Sequence, residues 1–143
     1  MNLSTLLFSF TGRINRARFW LAALPQGVIG MLVVVLGIAL RPYPATMIVI
    51  GVAVVLALAW VSLAVSVKRL HDRDKSAWWL LLFYVVPAAI LPVFWLGNRS
   101  ANIILGSVRA GIGIWGFVEI ACLRGTPGPN SYGSDPLQVQ GAA

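Results

Sequence analysis

The sequence predicts an all-α, polytopic membrane protein with four transmembrane helices, a short N-terminal interfacial segment and an irregular cytoplasmic C-terminal tail. Three observations predict it. The 143-residue chain is 59% hydrophobic and 10% charged, where an average soluble domain has about 45–50% and about 25%. Its ionisable residues are separated by long uncharged gaps. Its 11 Lys and Arg outnumber its 4 Asp and Glu, a net charge of +7. In a soluble protein that balance suggests nucleic acid. In a membrane protein it suggests cytoplasmic loops facing anionic lipid, and no basic stretch here has the length of a nucleic-acid module. A single cysteine, Cys122, excludes a disulfide scaffold, and because it lies in an apolar run it does not reveal the redox compartment.

The elements follow in order. Leu3, Leu6, Leu7 and Phe10 share one helical face, with Arg13, Arg16 and Arg18 behind them. Two readings fit: a short interfacial helix or a frayed apolar terminus. The uncharged gap after Arg18 holds a first span at about 19–40. It is too long for a signal-peptide core, and no A-x-A-like site follows. Arg41-Pro42-Tyr43-Pro44 turns the chain, because two prolines do not continue a helix. Further gaps hold spans at about 45–67 and 77–97. Each gap exceeds the roughly 20 residues needed to cross about 30 Å of hydrocarbon.

The stretch after Ser100 is apolar but carries Arg109 and Glu119. A helix from Gly106 to Leu123 would be about 27 Å long, with Arg109 snorkelling near one end and Glu119 about a turn from the other. It reads as a fourth span, about 106–123, with a re-entrant or interfacial segment as the alternative. Residues 1–136 then form one membrane domain and 137–143 a frayed tail.

Four spans collect Arg13, Arg16, Arg18, Lys68, Arg69, Arg73, Lys75 and Arg124 on one side. Arg41 and Arg99 fall on the other, with Arg109 near it. Eight cations less the carboxylates of Asp72, Asp74 and Asp135 leave that first side at +5. Basic short loops stay inside, so both termini are expected in the cytoplasm.

Three polar motifs punctuate the spans. The first contains Gly12, Arg13 and Arg16 ahead of Phe19-Trp20. It reads as an interfacial anchor or, more sharply, as an Arg pair for a phosphate headgroup or partner. The second runs from Lys68 through Arg69, His71, Asp72, Asp74 and Ser76 to Trp78 and Trp79. Lys68 and Asp72 are spaced to pair on a helix, and Asp74 or Ser76 is suited to cap the third span. His71 beside Asp72 invites a general-base reading, but adjacent side chains on a helix diverge. One His without nearby Cys cannot fill a typical zinc shell. The third holds Gly125, Gly128, Asn130, Tyr132, Gly133 and Asp135, with Pro127-Gly128 suited to a type II turn. So many special backbone residues predict a segment that packs back onto the bundle, with Tyr132 as its anchor beside Trp78 or Trp79.

Together the motifs resemble the domain-of-unknown-function 805 family, small bacterial inner-membrane proteins. The resemblance rests on Phe10-x-Gly12-Arg13-x-x-Arg16-x-x-Phe19-Trp20, Arg69-Leu70-His71-Asp72 with Ser76-x-Trp78-Trp79, and Gly125-Thr126-x-Gly128-x-Asn130-x-Tyr132-Gly133-x-Asp135-Pro136. It implies a location and an architecture and supplies no activity.

No phosphate-binding glycine loop, catalytic triad order or intramembrane carboxylate pair stands out, so no enzyme, cofactor or metal is expected. Two functional readings remain. One is a non-enzymatic module whose basic cytoplasmic face binds anionic lipid or a protein partner. The other is a small transporter, channel or exporter subunit, working as an oligomer with Glu119 and Arg109 along its path. Glu119 discriminates them: a pathway needs it facing water or a partner helix, and a structural module needs it tied to a cytoplasmic cation. Ten residues from Arg109, about 15 Å along a helix, Glu119 is expected to pair with Arg69, ahead of Arg16 or Arg18. The three motifs are expected to form one surface.

Overall fold

A computed structural model describes residues 2–39, 44–95 and 97–140. The expected turn at Arg41–Tyr43 lies outside the described residues. The chain is helical: α1 (Leu3–Phe8), α2 (Arg16–Ala39), α3 (Pro44–Asp72), a π-helical turn (Leu81–Val85) leading into α4 (Val86–Ile90) and a 3₁₀ turn (Leu91–Trp95), then α5 (Arg99–Phe117) ending in a second π turn (Val118–Cys122), and α6 (Pro136–Gln140). Among the described residues, three helices are long and apolar enough to cross a bilayer: Arg16–Ala39, Ala45–Asp72 and Arg99–Cys122. Leu81–Val93 is apolar but shorter. Residues 136–140 are helical where the sequence suggested a frayed tail; 141–143 lie outside the described residues.

The regularity of the last two apolar segments reverses the expectation. Residues 77–97 looked like an ordinary span, yet they fold as three short helical pieces. Pro87 and Pro92 explain it. Each lacks a backbone N–H and its ring clashes with the carbonyl four residues back, so the helix widens before Pro87 and tightens around Pro92. Residues 99–122, charged and in doubt, form a continuous helix. It starts at Arg99 rather than near Gly106, because the Asn98 side chain accepts from the Ala101 N–H and caps the first turn. Arg109 is exposed and lies thirteen residues before Cys122, about 20 Å along the helix. Of a core about 30 Å thick, about 10 Å remains beyond it, most of which a snorkelling Arg covers.

The packed core lies at one end of the bundle. Val67, Leu70, Leu80, Phe83 and Ile120 form one cluster, with Phe10, Phe19 and Trp79 against it. Leu6, Ile14, Ala22 and Val65 form the other. Helix α1 is thus a docked element, whose Leu6 is buried against the bundle. The outer halves of α2 and α3 expose Met31, Leu36, Val49 and Leu56, a surface suited to hydrocarbon rather than water. Within α2, Pro25 leaves the Leu21 carbonyl without its helical donor. Next to it, Gln26 Nε2 donates to the Ala22 carbonyl at 3.0 Å, and Gln26 Oε1 accepts from Ser62 Oγ at 2.7 Å.

Candidate functional site

All three motifs meet at the packed end, around the last turn of α3. That helix ends in a Schellman motif: Lys75 N–H reaches the Leu70 carbonyl and Asp74 N–H the His71 carbonyl. Asp74 takes the left-handed conformation this requires, with φ 56°. It therefore closes α3 and does not cap the third span; its carboxylate accepts from the Ser131 N–H at 3.2 Å. The next helical turn opens on a backbone bond from Trp79 N–H to the Ser76 carbonyl.

The C-terminal segment supplies the rest of the cap. Thr126 donates to the Asp72 carbonyl from both its N–H, at 2.8 Å, and its hydroxyl, at 3.1 Å. Asn130 Nδ2 donates to the His71 carbonyl at 2.8 Å. Asn130 and Gly133 exchange backbone hydrogen bonds, a tight loop in which Gly133 has φ 130°. Gly128, at φ 76°, occupies the position that a type II turn after Pro127 demands. Carbonyls that a helix end leaves open are thus satisfied by a segment more than fifty residues away.

Arg13 holds this segment down. Its guanidinium donates to Asp72 Oδ1 at 3.2 Å, to the Thr126 carbonyl at 2.7 Å, and to the Gly128 and Gly133 carbonyls at 2.8 and 3.1 Å. Its side chain is 1% exposed. Neither reading of Arg13 as a surface group survives: it is neither an interfacial anchor nor half of a headgroup-binding pair, because its donors are spent inside the protein. Gly12 turns the chain into this position with φ 86°. Arg69, also buried, pairs with Asp72 Oδ2 at 2.6 Å and donates to the Leu123 carbonyl. Asp72 thus lies between two guanidiniums, the arrangement that makes a buried carboxylate tolerable. Lys68 does not pair with Asp72. It is buried and donates to the Thr5 and Leu6 carbonyls, fastening the end of α1.

Glu119 is tied to cations, but not to Arg69, Arg16 or Arg18. It pairs with Arg73 at 2.8 Å and Lys75 at 3.0 Å, with Trp115 Nε1 at 3.4 Å. Arg69 is committed to Asp72 and Leu123, whereas the Schellman turn swings Arg73 and Lys75 towards α5. Lys75 also sits 4.6 Å above the Trp79 ring. Tyr132 is the other correction: it stacks on His71, ring centres 3.9 Å apart, rather than on Trp78 or Trp79. Trp78 is 76% exposed, and Trp79 packs on Phe83 and Trp115. Sequence reasoning gave Thr126 no role in this knot and Lys68 the wrong partner. A lone Lys closing a long apolar run was the available signal for the second.

Asp135 completes the segment. The Leu137 and Gly128 N–H groups, at 2.9 and 3.0 Å, hold its carboxyl below the ordinary value of 3.8. A depressed carboxyl stabilises the fold fully above its unfolded value and stops doing so as pH falls through the folded one. The segment should therefore hold at pH 5 and loosen below pH 3.8, read as faster proteolysis of the tail. Asp135→Asn should weaken that pH dependence. A second prediction concerns Arg13→Lys. One ammonium cannot replace a planar fork of five donors, so the tail should become protease-sensitive although the charge is kept. Wild-type resistance in Arg13→Lys would reduce the role of Arg13 to charge alone.

Rim groups differ from the knot. Arg16 is exposed and donates to the Cys122 carbonyl at 3.0 Å. Arg124 is exposed, while its carbonyl receives Arg73 at 3.0 Å. Both line an open cavity of about 560 Å³ bordered by Asn15, Thr126 and Leu137 and by the two carboxylates Asp72 and Asp135, which Arg13, Arg69 and backbone N–H groups already engage. Among the described residues, no three His, Cys, Asp or Glu side chains come together as a metal-binding group.

Comparison with known proteins agrees with this picture. The family described as "Protein of unknown function (DUF805)" matches residues 7–134, from within α1 to the Asn130–Gly133 loop. The "Uncharacterized protein YiiR" of Escherichia coli (strain K12) is 32% identical over 149 residues, covering 98% of this chain and 94% of that protein. The "Inner membrane protein YhaI" of the same organism is 29% identical over 133 residues, 89% of this chain and 85% of the relative. The "Inner membrane protein YhaH" is 30% identical over 131 residues, 89% and 86%. No solved structure matches the chain. A knot built from all three motifs, apolar helices of spanning length and a match across nearly the whole sequence lead to one conclusion: this is a membrane protein that belongs to the DUF805 family.

Proposed function

We propose that the chain is a non-enzymatic module of the bacterial inner membrane, crossing it four times, whose basic cytoplasmic end binds anionic lipid headgroups. The observation that carries this is the division of the cations at the packed end. Arg13, Lys68 and Arg69 are buried and committed to internal acceptors. Arg16 and Arg124 stand exposed around an open cavity, where α2 begins and the helix ending at Cys122 stops. That depth is the headgroup layer.

Four crossings are favoured by chain direction. Helix α3 and the helix ending at Cys122 both finish at the packed end, through Asp72 and Leu123, which Arg69 holds together. The intervening residues 77–95 must then carry the chain to the far end, despite their irregularity. The eight cations at the packed end face all four carboxylates of the chain, now including Glu119, and leave +4. An excess of that sign favours the cytoplasm. The transporter alternative needs a Glu119 open to water or a partner helix, and its pairing with Arg73 and Lys75 argues for the structural module.

The test is lipid retention. Intact protein extracted from mixed phosphatidylglycerol–phosphatidylcholine nanodiscs should retain the anionic lipid several-fold above its bulk share. A basic residue near an anionic surface contributes about 1 kcal/mol, roughly fivefold, so Arg16→Gln with Arg124→Gln should remove most of the enrichment. Retention at the bulk ratio in wild type would refute the proposal.

A further inference from the structure

Between α2, α3 and the π turn lies a second cavity, of about 330 Å³, lined by Phe19, Gln26, Gly27, Ser62, Ser66 and Tyr84, among others. Its position is unusual for a polar lining. Gln26 is ten residues beyond Arg16, and Ser62 ten residues before Asp72. Both therefore lie about 15 Å from the packed end, near the middle of a hydrocarbon core about 30 Å thick. Polar side chains at that depth are costly and mark sites. Gly27 and Tyr84 are exposed, so the cavity is reached sideways from the apolar surface of the bundle. A smaller apolar cavity of about 260 Å³ shares Phe19 and Tyr84 with it and continues along Phe83, Gly116 and Phe117.

The hydrogen-bond inventory says what would fit. Gln26 Oε1 accepts from Ser62, and one hydrogen of Gln26 Nε2 goes to the Ala22 carbonyl. That leaves the second amide hydrogen. Ser66 Oγ and Tyr84 Oη lie 3.0 Å apart and share one hydrogen bond between two hydroxyls, which leaves one more proton. Spare lone pairs remain on the same hydroxyls, but a buried donor without a partner is tolerated less than an acceptor without one, so the two spare hydrogens favour a ligand that accepts. Among the described residues, no Asp, Glu, Lys, Arg or His lines the cavity, which suits a neutral ligand.

We propose that this crevice binds the carbonyl group of a neutral, lipid-soluble ring compound of the quinone class, taken up from within the bilayer, with Gln26 and the Ser66–Tyr84 pair as its donors and the adjoining apolar cavity receiving its tail. Ester carbonyls of phospholipids sit at the interface and do not reach this depth. The site is independent of the basic end: Arg16 and Arg124 do not line it.

The test uses intact protein in phosphatidylcholine nanodiscs and a photoreactive azido short-chain ubiquinone, with labelled peptides mapped by mass spectrometry. Labelling should saturate, fall within 19–27, 58–66 or the π turn, and be displaced by decylubiquinone but not by excess diacylglycerol. Gln26→Leu should raise the competing concentration of decylubiquinone at least fivefold. Leu58 also lines the cavity, so Leu58→Trp, which fills it and keeps every polar group, should abolish labelling while the protein remains monodisperse. Non-saturating labelling, equal displacement by diacylglycerol, or indifference to Leu58→Trp would each overturn the assignment.

Discussion

Replacing Asp72 by Ala should release the C-terminal segment and destabilise the packed end by about 3–5 kcal/mol, the cost of leaving buried charges without their partner. Two are left at once, because the Arg13 and Arg69 side chains are 1% and 0% exposed and share this carboxylate. In detergent or nanodiscs, cleavage after Tyr132 should accelerate by roughly a hundredfold, the low end of that range at 1.4 kcal/mol per decade. Asp72→Asn keeps acceptor and shape but not charge, so it should fall between. Cleavage of Asp72→Ala at the wild-type rate would show that the ion triad does not hold the tail.

Gly125→Ala should be nearly as damaging, by sterics rather than charge. A methyl group at residue 125 would stand 2.8 Å from Asp72 Oδ1 and closer still to Oδ2 and Cγ. The carboxylate cannot withdraw, since Arg13 and Arg69 hold it from two directions. Gly128→Ala provides the contrast. Nothing lies within 4 Å of its added carbon, so only the left-handed backbone at φ 76° opposes it, about 1–2 kcal/mol. Thermal unfolding or tail proteolysis should rank the variants wild type, Gly128→Ala, Gly125→Ala. An unperturbed Gly125→Ala would mean that the segment does not lie against Asp72.

Much of this arrangement was legible before any coordinates. Charge spacing locates the apolar segments, and the expected alternation of spans puts the three motifs at one end, where their contacts are found. The density of Gly, Pro and Asn in 125–136 indicated a fixed segment. The misreadings share a cause. Segment 77–97 was judged by its lack of charge, but Pro87 and Pro92 decide helical regularity through the backbone. Glu119 was matched to Arg69 by depth alone. Depth does not reveal that Arg69 is already used, or that the turn at Asp74 redirects Arg73 and Lys75. Tyr132 was assigned to the Trp pair because aromatics cluster. Its actual partner, His71, lies on the helix end that Asn130 and Thr126 cap. The Gln26–Ser62 pair went unnoticed because uncharged polar residues do not interrupt a charge gap.

The central claim is that residues 125–133 are an integral part of the packed end, held there by Arg13. Amide hydrogen exchange of the intact protein in nanodiscs tests it most directly, since the Thr126, Asn130 and Gly133 N–H groups all donate within the knot. A peptide covering 125–133 should be protected in wild type and exchange at the rate of an unstructured peptide in Arg13→Ala, with the middle of α3 unchanged in both. Unprotected exchange of that peptide in the wild-type protein would contradict it.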